Sequence, residues 1–294
     1  MKNLTKLLTS LSVAMAVGLA MAPAHALVIT FDKHTDLSSN KATDGVGGVA
    51  AGLTSKFVPS TNIVNPATGY FIETFDQKTA LGSPFPGPLT TNVADPLINI
   101  NNPSGDGCSF NSYASLGVTT TGGGLGIRKG SIGGYAASPA FDNTCFGFSP
   151  TFGQVGTLKI DYSNFLFGGN SVNYLGFYLG SIDTYNSLKF IGTDGLALQG
   201  GLLGTDGIIT GAELLSVFSG SSGNQTSPNS NLYVNFDFTG QSFQTVEFRT
   251  TGIAFEIDNI VVRVDQTVPE PETLALIGFG LLGLAATRRR KNKA

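Results

Sequence analysis

The 294-residue sequence has no tryptophan, two histidines and two cysteines. His25 and His34 are the only imidazoles and Cys108 and Cys145 the only thiols, so a Cys/His zinc site or a multi-histidine metal centre lacks its ligands. Charge is scarce as well. Charged residues make up 13% of the chain, about half the ~25% usual for soluble domains. The formal net charge of −3 gives no basic footprint for nucleic acid. The missing tryptophan removes the flattest platform a sugar cleft could use and leaves tyrosine in that role. What is abundant is glycine, with 39 residues, and phenylalanine, with 21. A chain so aromatic and so weakly charged is no disordered polyelectrolyte. Its length suits one large domain or two ordinary ones.

The two ends differ from the body. Residues 1–26 read as a secretory signal peptide. Lys2 and Lys6 precede an apolar run from Leu7 to Met21, and Ala24-His25-Ala26 offers a small-x-small cleavage site marked by Ala24 and Ala26. Signal peptidase is the partner this implies. At the other end, a linker of residues 266–272 holds Val268-Pro269-Glu270-Pro271. An apolar run over 273–287 follows, and then a basic tail over 288–294 with Arg288, Arg289, Arg290 and Lys291. Fifteen helical residues reach only ~22 Å, short of a ~30 Å hydrocarbon core. Snorkelling arginines and local thinning could close the gap. The basic cluster is expected on the cytoplasmic side, with the body outside.

The order of these parts resembles the PEP-CTERM sorting signal: Pro269-Glu270-Pro271, a short Gly-rich hydrophobic segment and a terminal arginine cluster. The resemblance implies processing by an exosortase, a membrane protease-transpeptidase of Gram-negative bacteria. It also implies transient contact with the inner membrane and an address at the cell surface, outer envelope or extracellular matrix.

Between the ends the body carries ten basic and eighteen acidic residues, a net −8, which disfavours anionic partners. Its two cysteines in an exported setting suggest a Cys108–Cys145 disulfide. A loop of ~37 residues closed in this way gains ~3–4 kcal/mol in the chain-entropy model. Strand-like runs recur at 27–32, 70–76, 155–162, 172–179, 187–191, 232–238, 244–250 and 253–264. Leu158-Lys159-Ile160-Asp161-Tyr162 alternates strictly, as does Val234-Asn235-Phe236-Asp237-Phe238, the pattern of half-buried antiparallel strands. Turn-forming clusters separate the runs. The expected fold is an all-β antiparallel sandwich, jelly-roll or galactose-binding-like, over residues 70–265. Residues 27–69 form an irregular extension with the first strand. One short helix is expected, because Thr210-Gly211-Ala212-Glu213 has capping-box spacing ahead of Leu214, Leu215, Val217 and Phe218. Residues 219–231 and 83–88 read as loops.

The segment 172–186, with Ile209-Thr210-Gly211-Ala212, Tyr233-Val234-Asn235-Phe236 and Ala254-Phe255-Glu256-Ile257-Asp258-Asn259-Ile260, resembles a family of exosortase-dependent surface proteins. That resemblance spans residues 150–264. It implies a β-sandwich surface domain with no assigned activity.

Few constellations could carry chemistry. Glycoside hydrolysis needs two carboxylates ~5–10 Å apart, for which Glu73 with Asp76 and Glu247 with Glu256 are candidates. A serine triad would depend on His34, and no Gly-x-Ser-x-Gly elbow accompanies it. Two Gly-Thr-Asp-Gly units place Asp194 and Asp206 beside glycines, as hairpin turns do and as calcium loops do. Asp183, Asp194 and Asp206 are the acids a calcium ion would use. No other cofactor is expected. Asp258-Asn259 interrupts the last apolar strand and reads as a structural network or a ligand contact. Gly122–Gly130 reads as a flexible turn.

The expected function is therefore an exported, exosortase-sorted, non-enzymatic surface or matrix protein associated with exopolysaccharide or the envelope. A carbohydrate-binding module, calcium-dependent in one form, is the alternative. A carboxylate-based glycoside hydrolase is the second.

Overall fold

The computed structural model describes residues 26–33, 69–73, 75, 98–99, 117–140, 142, 145–163, 170–266, 279 and 281. Thirteen strands are described: β1 (Ala26–Lys33), β2 (Gly69–Glu73), β3 (Ile98–Asn99), β4 (Gly117–Gly122), β5 (Leu125–Lys129), β6 (Cys145–Ser149), β7 (Gly156–Asp161), β8 (Asn170–Gly180), β9 (Asn186–Gly192), β10 (Ile208–Thr210), β11 (Leu232–Thr239), β12 (Phe243–Thr250) and β13 (Phe255–Gln266). One helix, α1 (Gly211–Phe218), joins β10 to β11.

The strands form two sheets. The larger runs β1-β11-β8-β13-β6-β5-β3, with β2 also paired to β13. The smaller runs β10-β9-β12-β7-β4. Pairing is antiparallel except for the short β3–β5 contact. The expected all-β antiparallel architecture is the one observed. The first strand is no appendage, because β1 pairs along its whole length with β11.

One continuous apolar core lies between the sheets. Phe177 from β8 meets Phe248 of β12 edge-to-face with ring centroids 5.2 Å apart. Phe190 from β9 packs against Phe236 and Phe238 of β11 at 5.4 and 4.8 Å. Sheet-on-sheet packing through interdigitated inner side chains is what makes this a sandwich. In α1 the expected capping box is present. Glu213 N–H donates to Thr210 Oγ1 at 3.2 Å, and Thr210 N–H donates to Glu213 Oε2 at 2.8 Å. Leu214, Leu215 and Phe218 point the helix into the core.

Several sequence expectations need correcting. The turn read over Gly122–Gly130 contains a strand, β5, and its glycines serve a change of sheet. β4 belongs to the smaller sheet and β5 to the larger, so the chain crosses at Gly123-Gly124. A Cβ on Gly123 would lie 2.1 Å from the Pro150 side chain, so only glycine fits the corner. The run expected over 70–76 ends as strand at Glu73, and Phe75 takes φ +57°. β11 is not half-buried: its polar-side residues Tyr233 and Asn235 are buried too. They are accommodated by hydrogen bonds, Tyr174 Oη donating to Asn235 Oδ1 at 2.6 Å and Tyr233 Oη to the Asn259 carbonyl at 2.9 Å.

Asp258-Asn259 is a β-bulge. Against β8 the register steps from Asp258↔Tyr178 to Val261↔Gly176, one extra residue on β13. Asn259 adopts φ +48°, a conformation asparagine tolerates better than most residues. Its N–H donates to Asp258 Oδ1 at 2.7 Å. The bulge switches the inward positions from Phe255 and Ile257 to Ile260, Val262 and Val264.

Cys145 opens β6, is fully buried and is not a free thiol. Its expected partner Cys108 lies outside the described residues, as do Ala24, His34, Asp76, Val268, Pro269, Glu270, Pro271, Arg288, Arg289, Arg290 and Lys291. Among the described residues no helix is long and apolar enough to cross a membrane. Of the run 273–287 only Phe279 and Leu281 are described, both helical and exposed.

Candidate functional site

The acids singled out for calcium are not gathered. Asp194 Oδ1 accepts from Leu196 N–H at 2.9 Å, and Asp206 Oδ1 from Ile208 N–H at 3.2 Å. Each caps its own turn, with Gly195 at φ +77° and Gly207 at φ +71° beside it. Asp183 lies elsewhere, between β8 and β9, where Ser222 Oγ donates to its Oδ1 at 3.3 Å. Among the described residues no group of three acids, histidines or cysteines is placed to hold a metal ion. The hydrolase pair Glu247 and Glu256 is split as well. Glu247 sits on β12 beside Arg249, 3.9 Å away, and Glu256 on β13 in the other sheet. Glu73 is buried in β2, with its Oε1 accepting from Phe75 N–H at 2.7 Å.

Glu256 is nevertheless the most unusual charged group described. Its neighbours Phe255 and Ile257 face the core, so its side chain points to the other face of the large sheet. There it lines a cleft of about 250 Å³, bounded by residues 131–137, Gln225, Ile253 and Ala254. Ala137 N–H donates to Oε1 at 3.0 Å, and Ser181 Oγ donates to Oε2 at 3.3 Å. Burial, and secondarily the negative charge of Asp183, push its pKa up to about 8, although these hydrogen bonds and one from its own backbone N–H act to lower it. Asp183 is itself raised by burial, with the nearby hydroxyls of Tyr185 and Ser222 acting to lower it. Burial and the two carboxylates hold the Tyr185 hydroxyl well above its usual range.

The cleft walls come from three connections brought to one end of the sandwich, β5–β6, α1–β11 and β12–β13, and the β8–β9 connection holds Glu256 from behind through Ser181. Loop clusters at sandwich ends are where such folds bind. The β5–β6 wall folds on itself, with Ile132 N–H donating to the Ala136 carbonyl at 2.8 Å. Tyr185 closes the β12–β13 turn by donating to the Ile253 carbonyl at 2.7 Å. Asn231, at the foot of β11, ties the walls together. Its Oδ1 accepts from Ala140 and Ser181 N–H, both at 2.9 Å, and its amide donates to the Asn224 and Ser227 carbonyls at 2.8 and 3.0 Å. Nothing in the sequence marks Asn231, since it closes a Ser/Asn-rich stretch that reads as an ordinary loop.

Asn231→Ala removes all four bonds and leaves buried backbone groups unsatisfied, at about 1–3 kcal/mol for each group left bare. The expected loss is about 3 kcal/mol, read as a lower urea midpoint with an unchanged slope. A loss below about 0.5 kcal/mol would mean that the walls do not depend on Asn231.

The last strand also fixes where this end lies. Glu256 stands at the start of β13 and Gln266 at its end, ten residues on, or roughly 33 Å at strand rise. The protein-sorting motif described as PEP-CTERM matches residues 267–291, beginning at the residue after β13. The chain carries a PEP-CTERM sorting signal. No curated protein and no solved structure matches it. The PEP-CTERM tail implies processing by an exosortase and export to the envelope or surface of a Gram-negative bacterium. The tail and the Glu256 cleft therefore leave from opposite ends of one strand.

Proposed function

We propose that this is a non-enzymatic surface or matrix component that engages exopolysaccharide at the Glu256 end of the sandwich. The observation that carries the reading is the polarity of β13, with the sorting tail at one end and the cleft at the other. A body held or released at its tail end presents the cleft outward. β1 begins at Ala26, where signal-peptide cleavage is expected, so cleavage leaves Leu27 at the head of an edge strand already paired to β11. The cleft's size and mixed lining suit one sugar residue. Tyr135, 46% exposed at its mouth, supplies the aromatic face that tryptophan would otherwise give. The separation of Glu247 from Glu256 onto different sheets argues against the hydrolase reading.

Deletion of residues 268–294 is expected to abolish surface display, read by protease shaving of intact cells. Unchanged display would overturn the sorting part. The mature protein is expected to sediment with exopolysaccharide extracted from the same cells, equally with and without a calcium chelator. Failure to sediment under both conditions would overturn the binding part.

A further inference from the structure

Resting on the reading of the cleft as a binding site, we infer that its specificity element is Glu256 and that the ligand group it takes is an ammonium, such as the amine of an amino sugar. The lining supplies one carboxyl, no basic side chain, the apolar side chains of Ile132, Ala136 and Ala254, and the exposed ring of Tyr135. An anionic ligand meets the wrong sign there. An ammonium meets a carboxylate and an aromatic face, the pair that recognises cationic amines.

Glu256 has acceptor capacity to spare. An ionised carboxylate offers about four lone-pair positions, and the protein uses three of them, through Ala137 N–H, Ser181 Oγ and the backbone N–H of Glu256 itself. The charged and titratable groups packed around it are Asp183 and Tyr185 of the β8–β9 connection and Tyr135 of the β5–β6 connection. None is a cation, so an ionised Glu256 is left with a second carboxylate nearby and no counter-charge from the cleft. An incoming ammonium supplies that charge where burial strengthens its effect.

Binding is then coupled to proton release, because the carboxyl must ionise to accept the ammonium. Below about 8, where Glu256 is protonated, the affinity of a permanently charged amine rises about tenfold per pH unit, and above it the affinity levels off.

The test is titration calorimetry on the purified mature protein with n-butylammonium, whose lysine-like pKa of ~10.4 keeps it charged throughout. n-Butanol serves as the neutral probe. The expected result is binding of the ammonium that strengthens about a hundredfold from about pH 6 to a plateau above about pH 8, with one proton released per ligand at low pH. Butanol should bind at least tenfold more weakly. Glu256→Gln keeps an acceptor for Ala137 N–H and should abolish ammonium binding. Asp183→Asn removes the neighbouring charge and should move the midpoint of the pH profile downward. Ammonium affinity that is flat with pH, or equal to that of butanol, overturns the inference. If exopolysaccharide still sediments with the protein in that case, the surface reading stands and only the ammonium assignment falls. If the ammonium binds as described but exopolysaccharide does not sediment, the assignment stands and the polysaccharide reading falls.

Discussion

Raising the pH from about 5 to about 8 should cost the folded protein several kcal/mol of stability, and Glu256→Gln should remove most of that loss. A glutamate ordinarily titrates at 4.5, and in the fold Glu256 titrates at about 8. Across that window the folded state keeps a proton that the unfolded chain has released. Unfolding therefore becomes easier as pH rises, by ~1.4 kcal/mol per pH unit for one such group. The stabilisation is complete below 4.5, falls by about 5 kcal/mol in all, and stays flat once the folded group has ionised above about 8. Asp183, raised in the same direction, adds to the slope at its lower end.

Glutamine is neutral at every pH, and its oxygen still accepts from Ala137 N–H while its NH2 donates to a reoriented Ser181 hydroxyl, so the variant's urea midpoint should vary much less between about pH 5 and about pH 8. Above about 8 the variant should be more stable than the parent, an uncommon sign for removing a buried charged side chain. Parallel pH profiles for the two proteins would mean that Glu256 ionises normally, and the cleft would lose its electrostatic distinction.

The parts of this fold that were legible in the sequence share one property: their pattern is local. β7, β9, β11 and β12 show apolar residues at alternate positions within a few residues, and the α1 capping box is spelled out by Thr210 and Glu213. The PEP-CTERM tail is likewise a contiguous string. β5 and β6 were illegible because their glycines look like turn residues. In the fold those glycines make room for rings. A Cβ on Gly126 would lie 2.2 Å from the Phe148 ring, and one on Gly147 would lie 2.6 Å from the Phe75 ring. Glycine at those positions reflects packing from across the sheet, which no window of sequence contains.

The candidate site was illegible for the same reason. Glu256 is offered by the sequence only as half of a hydrolase pair with Glu247, a pairing the fold splits between two sheets. Its role depends on Ala137, 119 residues away, and Ser181, 75 residues away. Asp194 and Asp206 drew attention because their signal is local, and local turn chemistry is what they perform.

The second large effect is expected at the seam between the sheets. Phe177→Ala should destabilise the protein by about 4 kcal/mol, near the upper end for a buried aromatic. Phe177 is fully buried on β8 and is the ring on which both sheets close. Within its own sheet it stacks on Phe236 with centroids 6.0 Å apart and an interplanar angle of 13°. Across the core it meets Phe248 edge-on at 5.2 Å, and toward the start of β13 it meets Phe255 at 6.5 Å. Alanine removes three ring contacts, each adding ~0.5–1.5 kcal/mol beyond burial, and leaves a cavity between two hydrogen-bonded sheets that cannot collapse into it. For a body of this size the melting temperature should fall by roughly 10 °C. Phe177→Leu keeps most of the volume and should lose about half as much. Val28, 48% exposed on the edge strand β1, is the control, and Val28→Ala should change stability by less than about 0.5 kcal/mol. Phe255 directly precedes Glu256, so loosening the Phe177 cluster also loosens the strand that aims the carboxyl. The alanine variant should therefore bind n-butylammonium more weakly at a temperature where it is still fully folded, while Val28→Ala binds normally. Equal stability of the alanine and parent proteins would mean that the two sheets do not meet through this ring.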